Sequence, residues 1–292
     1  MHNPNHMPMT SLTSTFLLAN GVEIPCIGFG TWQTPDGETA VNAVKVALEA
    51  GYRHIDTAAS YKNEESVGEA IRLSGINREE IFVTTKLDNP DHGYEETKAA
   101  FNASLDKLDM DYVDLYLIHW PNPISSRHNW KEANAGSWKA FEEFYEQGKI
   151  RALGVSNFRK HHLEALYETA KIKPVVNQIH LCPGDLQPEV VAYCREQDIL
   201  LEAYSPLGTG AIFEVPEMQE IANETGKTVA QVAIRWSLQK GFLPLPKSVT
   251  PERIRENAEI FDFELTDDQV ATIDNLEPGI AGFGAEPDSI TW

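Results

Sequence analysis

Cysteine is scarce in this chain: Cys26, Cys182 and Cys194 are three in 292 residues, an odd number with no CxxC spacing. That excludes a disulfide-stapled scaffold and a zinc ribbon, and it points to a reducing compartment. Cys26 and Cys194 sit inside apolar patterns where a buried thiol is expected, whereas Cys182 falls beyond a strand end and is open to exposure. Cations are also few. Against 44 Asp and Glu stand 24 Lys and Arg, a formal balance of -20, which argues against non-specific nucleic-acid binding and adsorption to anionic membranes. No apolar run approaches the roughly 18 residues of a membrane-spanning helix. The opening stretch HNPNHMPMTSLTST is polar and contains proline, with neither a basic start nor an apolar segment. Residues 1–15 therefore read as a disordered leader, and the chain as soluble and cytoplasmic, with no nucleic-acid or membrane partner.

Two phosphate-binding signatures are missing. The stretch Gly28-Phe29-Gly30-Thr31-Trp32-Gln33 has GxG without a third glycine, and no acidic residue follows on a second strand at the ribose distance, so an open dinucleotide-binding sheet is disfavoured. Gly226-Lys227-Thr228 lacks the earlier glycine of a Walker loop. No HxH pair occurs near the strand-end histidines, which argues against the metal-dependent hydrolases that share barrel folds, and no metal is expected.

What the chain does have is unbroken alternation of β-rich runs and amphipathic helical stretches. The runs are CIGFGT (26–31), HIDT (54–57), IFVTTKL (81–87), VDLYLIH (113–119), RALGVSN (151–157), VVNQIH (175–180), LLEAYSP (200–206) and FLPLPKS (242–248). Helices are expected over 38–51, 64–75, 94–108, 137–148, 160–170, 188–197, 217–226, 228–241 and 251–260, several ending on glycine. Thr250-Pro251 reads as a hydroxyl N-cap followed by proline in the first turn, and Thr266 with Gln269 as a capping box. Eight apolar strands with helical crossovers predict a (β/α)8 barrel. Before it, Asn20-Gly21 predicts a tight two-residue hairpin. The expected organisation is one barrel domain over residues 16–292, its last segment, 279–292, folding over the mouth as a substrate loop.

Four polar residues close three of these runs or the turns after them: Asp56, Tyr61, Lys86 and His119. Strand C-terminal ends are where a βα-barrel does chemistry. A phenol, an ammonium, a carboxylate and an imidazole gathered there suit reduction of a carbonyl, because the alkoxide left by hydride addition needs a proton. A phenol gives one well when a nearby cation stabilises its conjugate base.

The motifs GFGTW (28–32), GYRHIDTAASYKNEESVGEAI (51–71), LIHWP (117–121), LGVSNF (153–158), NQIHLCP (177–183), YSPLG (204–208) and LPKSVTPERIREN (245–257) resemble the aldo-keto reductases, most of all bacterial members that reduce small keto-sugars, diketo acids and aldehydes. The resemblance spans roughly residues 16 to 278. It implies a (β/α)8 barrel, NADPH held without a Rossmann domain, and reduction of small aldehydes, ketones and dicarbonyls by a monomeric or weakly associating enzyme. Carried over by position, Tyr61 is the implied general acid, Lys86 its neighbouring cation, Asp56 the partner of that lysine and His119 the group that orients the carbonyl. The implied cofactor residues are Gly30, Thr31, Trp32, Ser156, Asn157, Gln178, Tyr204, Ser205, Pro206, Leu207, Lys247, Ser248, Val249, Arg253, Glu256 and Asn257. Among them Tyr204 would stack on the nicotinamide, and Lys247 with Arg253, around a helix start, would meet a 2′-phosphate. Trp32 and Trp120, with Tyr61 and His119, are expected to wall the substrate. A non-catalytic nicotinamide-binding sensor on the same scaffold is the alternative. His180 reads as structural, His161-His162 as a solvated helix face whose side chains diverge too far for a metal, and Glu64-Glu65 as a solvated helix start.

Overall fold

A computed structural model describes residues 9–292. Eight parallel strands, β3 (Phe29–Gly30), β4 (His54–Asp56), β5 (Phe82–Leu87), β6 (Val113–Ile118), β7 (Ile150–Ser156), β8 (Val176–His180), β9 (Leu200–Tyr204) and β10 (Leu243–Leu245), pair strictly in chain order. Two backbone bonds join the first strand to the last, Gly28 N–H to the Pro244 carbonyl (3.1 Å) and Gly30 N–H to the Pro246 carbonyl (3.0 Å). Proline offers a carbonyl but no N–H, so this seam is bonded in one direction and β10 stays short. The glycines let the seam close: a Cβ on Gly28 would stand 2.5 Å from Leu245 Cδ2 and 2.6 Å from His54 Nδ1.

Side chains alternate with period two along each strand. One parity faces outward, where Ile55, Val83, Tyr116, Val155, Ile179 and Leu201 meet the helices. The other faces the barrel axis. At the bottom of the axis Phe82, Leu115, Ala152, Val176 and Leu243 form an apolar plug, sealed from below by Leu18 and Ile24. These two flank the turn of a hairpin of β1 (Thr15–Leu17) and β2 (Glu23–Pro25). Two residues further along β5 and β8 the same parity becomes polar, at Thr84 and Gln178, while Leu117 and Leu245 keep β6 and β10 apolar; the site is built on the polar side.

The hairpin turn is wider than expected. Leu18 N–H bonds the Val22 carbonyl and Gly21 N–H bonds the Leu18 carbonyl, so residues 19–21 form the loop and Gly21 alone has a positive φ, 84°. This is the three-residue alternative in which glycine follows a type I turn. Of the supposed leader, residues 1–8 lie outside the described residues, while Met9 and Leu12 pack against the core and Arg235 donates to the Met9 carbonyl. Cys182 is buried like the other two thiols, and burial pushes it up to about 12.

The shell comprises α1 (Glu38–Glu49), α2 (Glu64–Ser74), α3 (Tyr94–Leu108), α4 (Trp130–Glu146), α5 (Lys160–Tyr167), α6 (Pro188–Glu196), α7 (Pro216–Thr225), α8 (Val229–Gln239), α9 (Pro251–Glu256) and α10 (Asp267–Asp274). Helix α4 starts seven residues before the expected Ser137. Gly136, outside the expected helix, lies inside it, and a Cβ there would stand 3.0 Å from Tyr94 N at the start of α3, which accounts for glycine at a helical position. Thr266 and Gln269 form the expected capping box. Thr250 makes no side-chain cap; Ser248 Oγ takes its N–H instead (3.0 Å). Glu64 is buried rather than solvated and accepts from Thr85 Oγ1 at 2.6 Å. Among the described residues no helix is long and apolar enough to cross a membrane.

Replacing Gly28 with Ala should cost about 1–3 kcal/mol, the usual penalty of overpacking a filled core. Chemical denaturation reads this as a lower midpoint at unchanged slope; an unchanged midpoint would mean that the seam has slack.

Candidate active site

Strands β4 and β5 deliver Asp56 and Lys86 to the axis side by side, and the turn after β4 carries Tyr61 (residues 59–61, a single 3-10 turn) back over them. Asn63 holds that turn: its amide donates to the carbonyls of Thr31 (3.0 Å) and Thr34 (3.1 Å), and its oxygen accepts from Thr57 Oγ1 (2.8 Å). Lys86 has no exposed surface. Its ammonium donates to Asp56 Oδ1 (2.7 Å), the Thr57 carbonyl (2.9 Å) and the Tyr61 hydroxyl (3.2 Å), which uses all three of its hydrogens. Because Tyr61 oxygen receives one of them, its own hydrogen is free to point into the cavity. His119 follows β6, its ring edge-on to Tyr61 with centroids 5.8 Å apart and Nδ1 3.3 Å from Ser60 Oγ.

Electrostatics fixes the charge states. Burial holds the Tyr61 phenol above its ordinary range; Lys86 pulls it down and Asp56 pushes it up, and the net direction is upward. The resting phenol is therefore protonated, and the effect of Lys86 is felt as charge develops on oxygen rather than as a depressed resting value. Burial opposes the charge on Lys86, but Asp56 and Tyr61 outweigh it and raise the ammonium. For His119, burial first and then Lys86 and His92 push the imidazole well below its usual range, so it is neutral at pH 7.

A cavity of about 1220 Å³ opens above these groups. Tyr61, Asp56 and His119 lie at its floor, Trp32 and Trp120 on its wall, and Lys247 and Arg253 at its rim.

The model of the Aldo/keto reductase family matches residues 26–278. The chain belongs to the aldo/keto reductase family. It is 48% identical over 283 residues to glyoxal reductase of Bacillus subtilis (strain 168), covering 97% of this chain and 99% of that one. It is 42% identical over 273 residues to methylglyoxal reductase DkgA of Escherichia coli (strain K12), covering 93% and 96%. The crystal structure of MGS-M4, an aldo-keto reductase enzyme from a Medee basin deep-sea metagenome library, superposes with a TM-score of 0.89 at 45% identity, over 95% of this chain and all of that one. Membership in this oxidoreductase family supports an enzyme that reduces carbonyls with a nicotinamide cofactor.

Most of the sequence-derived site residues of this aldo/keto reductase line the one cavity: Gly30, Ser156, Asn157, Gln178, Tyr204, Ser205, Pro206, Leu207, Ser248, Glu256 and Asn257 all do. Three do not. Lys86 lies behind Tyr61, Thr31 is buried with its hydroxyl bonded to the Asp56 carbonyl (2.9 Å), and Val249 is exposed outside. Ser156 donates to the Gln178 carbonyl (2.8 Å), Asn157 donates to the His119 carbonyl (3.0 Å), and Tyr204 donates to Asn157 Oδ1 (2.8 Å). Asn157 and Ser205 take φ of 62° and 50°, strained backbone at the rim, where such strain concentrates. His180 is held by Asp185 (2.6 Å) and also lines the cavity. Trp130 does not line it; its ring meets His162 edge-on at 5.1 Å.

Sequence reasoning missed how the C-terminal segment is fastened. Residues 281–285 and Trp292 line the cavity, with Trp292 edge-on to Trp120 (5.6 Å). The segment is pinned by Gly279 N–H to the Gly184 carbonyl, Gly284 N–H to Asp185, Arg159 to Glu286, and Asp288 to three donors. Those three are Asn122 Nδ2 (2.9 Å), His162 Nε2 (2.9 Å) and His161 Nε2 (3.0 Å). The two histidine rings therefore converge, with centroids 3.8 Å apart, and His162 is fully buried rather than solvated. His161, His162 and Asp288 are close enough to share an ion. However, His162 Nδ1 accepts the Arg159 N–H (3.0 Å), which puts the imidazole proton on Nε2 and leaves no lone pair there for a metal. The cluster is a clasp for the tail, and nothing in the local text reveals a partner 126 residues away.

Asp288→Ala should free the tail. Limited proteolysis should cut within residues 281–291 at least about tenfold faster, as expected for loss of roughly 1.5–3 kcal/mol of charge-assisted bonds; cleavage at the parental rate would show that the remaining contacts hold the tail without this clasp.

Proposed function

We propose that this protein is a cytoplasmic, NADPH-dependent reductase of small aldehydes and ketones, with dicarbonyls, keto-sugars and diketo acids as the substrate class and Tyr61 as general acid. The observation that carries the reading is the spent ammonium: Lys86 gives all three hydrogens to protein oxygens and one of those oxygens is the Tyr61 phenol, whose proton is thereby left for a ligand. Glyoxal and methylglyoxal reductases among the relatives support the dicarbonyl choice. Free, buried thiols fit a reducing cytoplasm.

The cavity fits the cofactor. Lys247 and Arg253 face it without any ion pair among the described residues, in a chain of net charge -20, which is the arrangement a 2′-phosphate needs. Helix α9 has six residues, so these side chains rather than a helix dipole carry that argument. Ser156, Asn157 and Gln178 would hold the carboxamide, and the ring of Tyr204 would support the nicotinamide face. Bound there, the cofactor supplies a hydride to the carbonyl carbon.

The protein's own residues do the rest. Neutral His119, in the tautomer in which Ser60 donates to Nδ1, directs an Nε2 hydrogen at the carbonyl oxygen and orients it. As negative charge builds on that oxygen, Tyr61 gives up its proton, and Lys86 stabilises the phenolate 3.2 Å away. Asp56 keeps Lys86 charged and aimed. Trp32, Trp120 and Trp292 exclude water from the floor and discriminate by shape. Nothing in the tetrad is missing, which favours catalysis over a sensor role.

Following absorbance of NADPH and NADH against glyoxal, methylglyoxal, keto-sugars and simple aldehydes tests activity, cofactor and substrate class together; no oxidation of either dinucleotide by any of them would refute the reading. Tyr61→Phe should lower kcat by about 10²–10⁴, the range of general-acid catalysis, while fluorescence titration finds NADPH affinity nearly unchanged. Arg253→Ala should weaken NADPH roughly ten- to hundredfold, the worth of one charge-assisted contact, and NADH little. Equal losses would remove the 2′-phosphate assignment.

A further inference from the structure

Beneath the tetrad lies a second carboxylic acid that the reaction as described does not use. Glu202, the central residue of β9, has no exposed surface. Its Oε2 accepts from Gln178 Nε2 at 2.7 Å, and the same nitrogen donates its other hydrogen to Asp56 Oδ2 at 2.8 Å. Its Oε1 has no hydrogen-bond partner and stands 3.9 Å from His54 Nε2, which in turn lies 2.9 Å from Thr84 Oγ1. The pairing neighbour of Glu202 on β10 is apolar Leu243.

Two consequences follow from this geometry. First, Gln178 cannot turn its amide over, because its carbonyl oxygen would then face two carboxyl groups in place of two short donor contacts. Its Oε1 is left for the cavity, so Gln178 meets a ligand as an acceptor only. Second, the charges do not balance if every acid is ionised. Asp56 and Glu202 are two carboxylates, Lys86 is one ammonium, and all three are buried. His54 cannot make up the difference, since burial, with Lys86 adding to it, drops its imidazole to about 3. Desolvation selects the neutral total, and the extra proton belongs on the carboxyl group without a direct cation.

We propose that Glu202 is a positioning residue for carbonyl reduction: it fixes the amide plane of Gln178 and carries the one proton that keeps the Asp56–Lys86–Tyr61 relay charge-balanced. The inference rests on Tyr61 being the proton donor. The groups facing Glu202 agree with it. Burial, then Asp56, push the Glu202 carboxyl up to about 8 against the opposing pull of Gln178 and Lys86. When it ionises, a second negative charge beside Asp56 makes the Tyr61 phenolate harder to form. Reduction slows.

The pH profile of kcat for glyoxal reduction by NADPH should accordingly fall above pH 8 by on the order of tenfold, the effect of one unit charge across a few residues of protein interior. Glu202→Gln should abolish that limb and extend the plateau to higher pH. A purely structural role predicts lower kcat or stability with an unchanged profile, and a superimposable profile overturns the inference. A second readout needs neither cofactor nor turnover. A carboxyl whose folded pKa is raised loses stability as pH climbs from its unfolded value towards the folded one, so between about 4.5 and 8 the folding constant of the parent should drop by up to about tenfold per pH unit relative to Glu202→Gln. Parallel stability curves count against the proposal. If Glu202→Gln does not fold, Glu202→Met, of similar volume and apolar, is measured in the same way. Tyr61→Phe separates the two readings. Should it retain turnover, the assignment of the general acid fails. Should it be inactive while the Glu202 variant keeps the parental pH limb, the role of Glu202 fails alone.

Discussion

A fully buried ammonium persists only where each hydrogen finds an acceptor and the charge a counter-charge, and Lys86 meets both conditions inside an eight-stranded barrel. Asp56 at 2.7 Å supplies the charge, and the Thr57 carbonyl and Tyr61 oxygen complete the shell. The surroundings serve this arrangement. The hairpin and its leucine and isoleucine plug dry the axis from below. Asn63 ties the turn that carries Tyr61 to the first strand's loop, and Gln178 restrains the free oxygen of Asp56. A cation held so tightly is poised before any ligand arrives, and preorganisation of this kind is the largest lever available for stabilising charge in a transition state.

The same parity rule that makes the barrel a packed core also places its chemistry. Along β4 the inward residues are His54 and Asp56, along β5 Phe82, Thr84 and Lys86, along β8 Val176, Gln178 and His180, and along β9 Leu200, Glu202 and Tyr204. Apolar side chains give way to polar ones a residue pair at a time on the way up. The eight strands and the placement of Asp56, Lys86 and His119 were legible in the sequence because each polar side chain ends an apolar run, and that of Tyr61 because it closes the turn after one, which are local patterns. Glu202 was passed over, although a signal existed: a lone acid two residues before Tyr204 in an otherwise apolar strand must point to the same side, and reading parity through the strand finds it.

Other features were out of reach for definite reasons. Asn20-Gly21 fits both a two- and a three-residue loop, and the dipeptide alone does not choose between them. Gly136 looks like a loop residue until the N-terminus of α3 is known to pack on it. His161 and His162, adjacent in a helix, converge because Asp288 sits between their tips, and only the folded tail supplies it. The phenol of Tyr61 is a subtler case: its cation was foreseen, but the desolvation that outweighs that cation depends on the completed cavity.

Three glycines mark the track on which the tail runs. Given a Cβ, Gly184 would strike Ile280 at 2.7 Å, Gly208 would stand 2.8 Å from the Ala281 carbonyl, and Gly284 would press on His180 at 2.6 Å. The bare glycine backbone lies against neighbouring side chains and, at Gly208, against main chain, so at these three points the course leaves no room for even one added methyl group. Diversification of this enzyme towards new substrates would then have to proceed by exchanging the rings that project from a fixed path, Phe283 and Trp292 first, and not by rerouting the path itself.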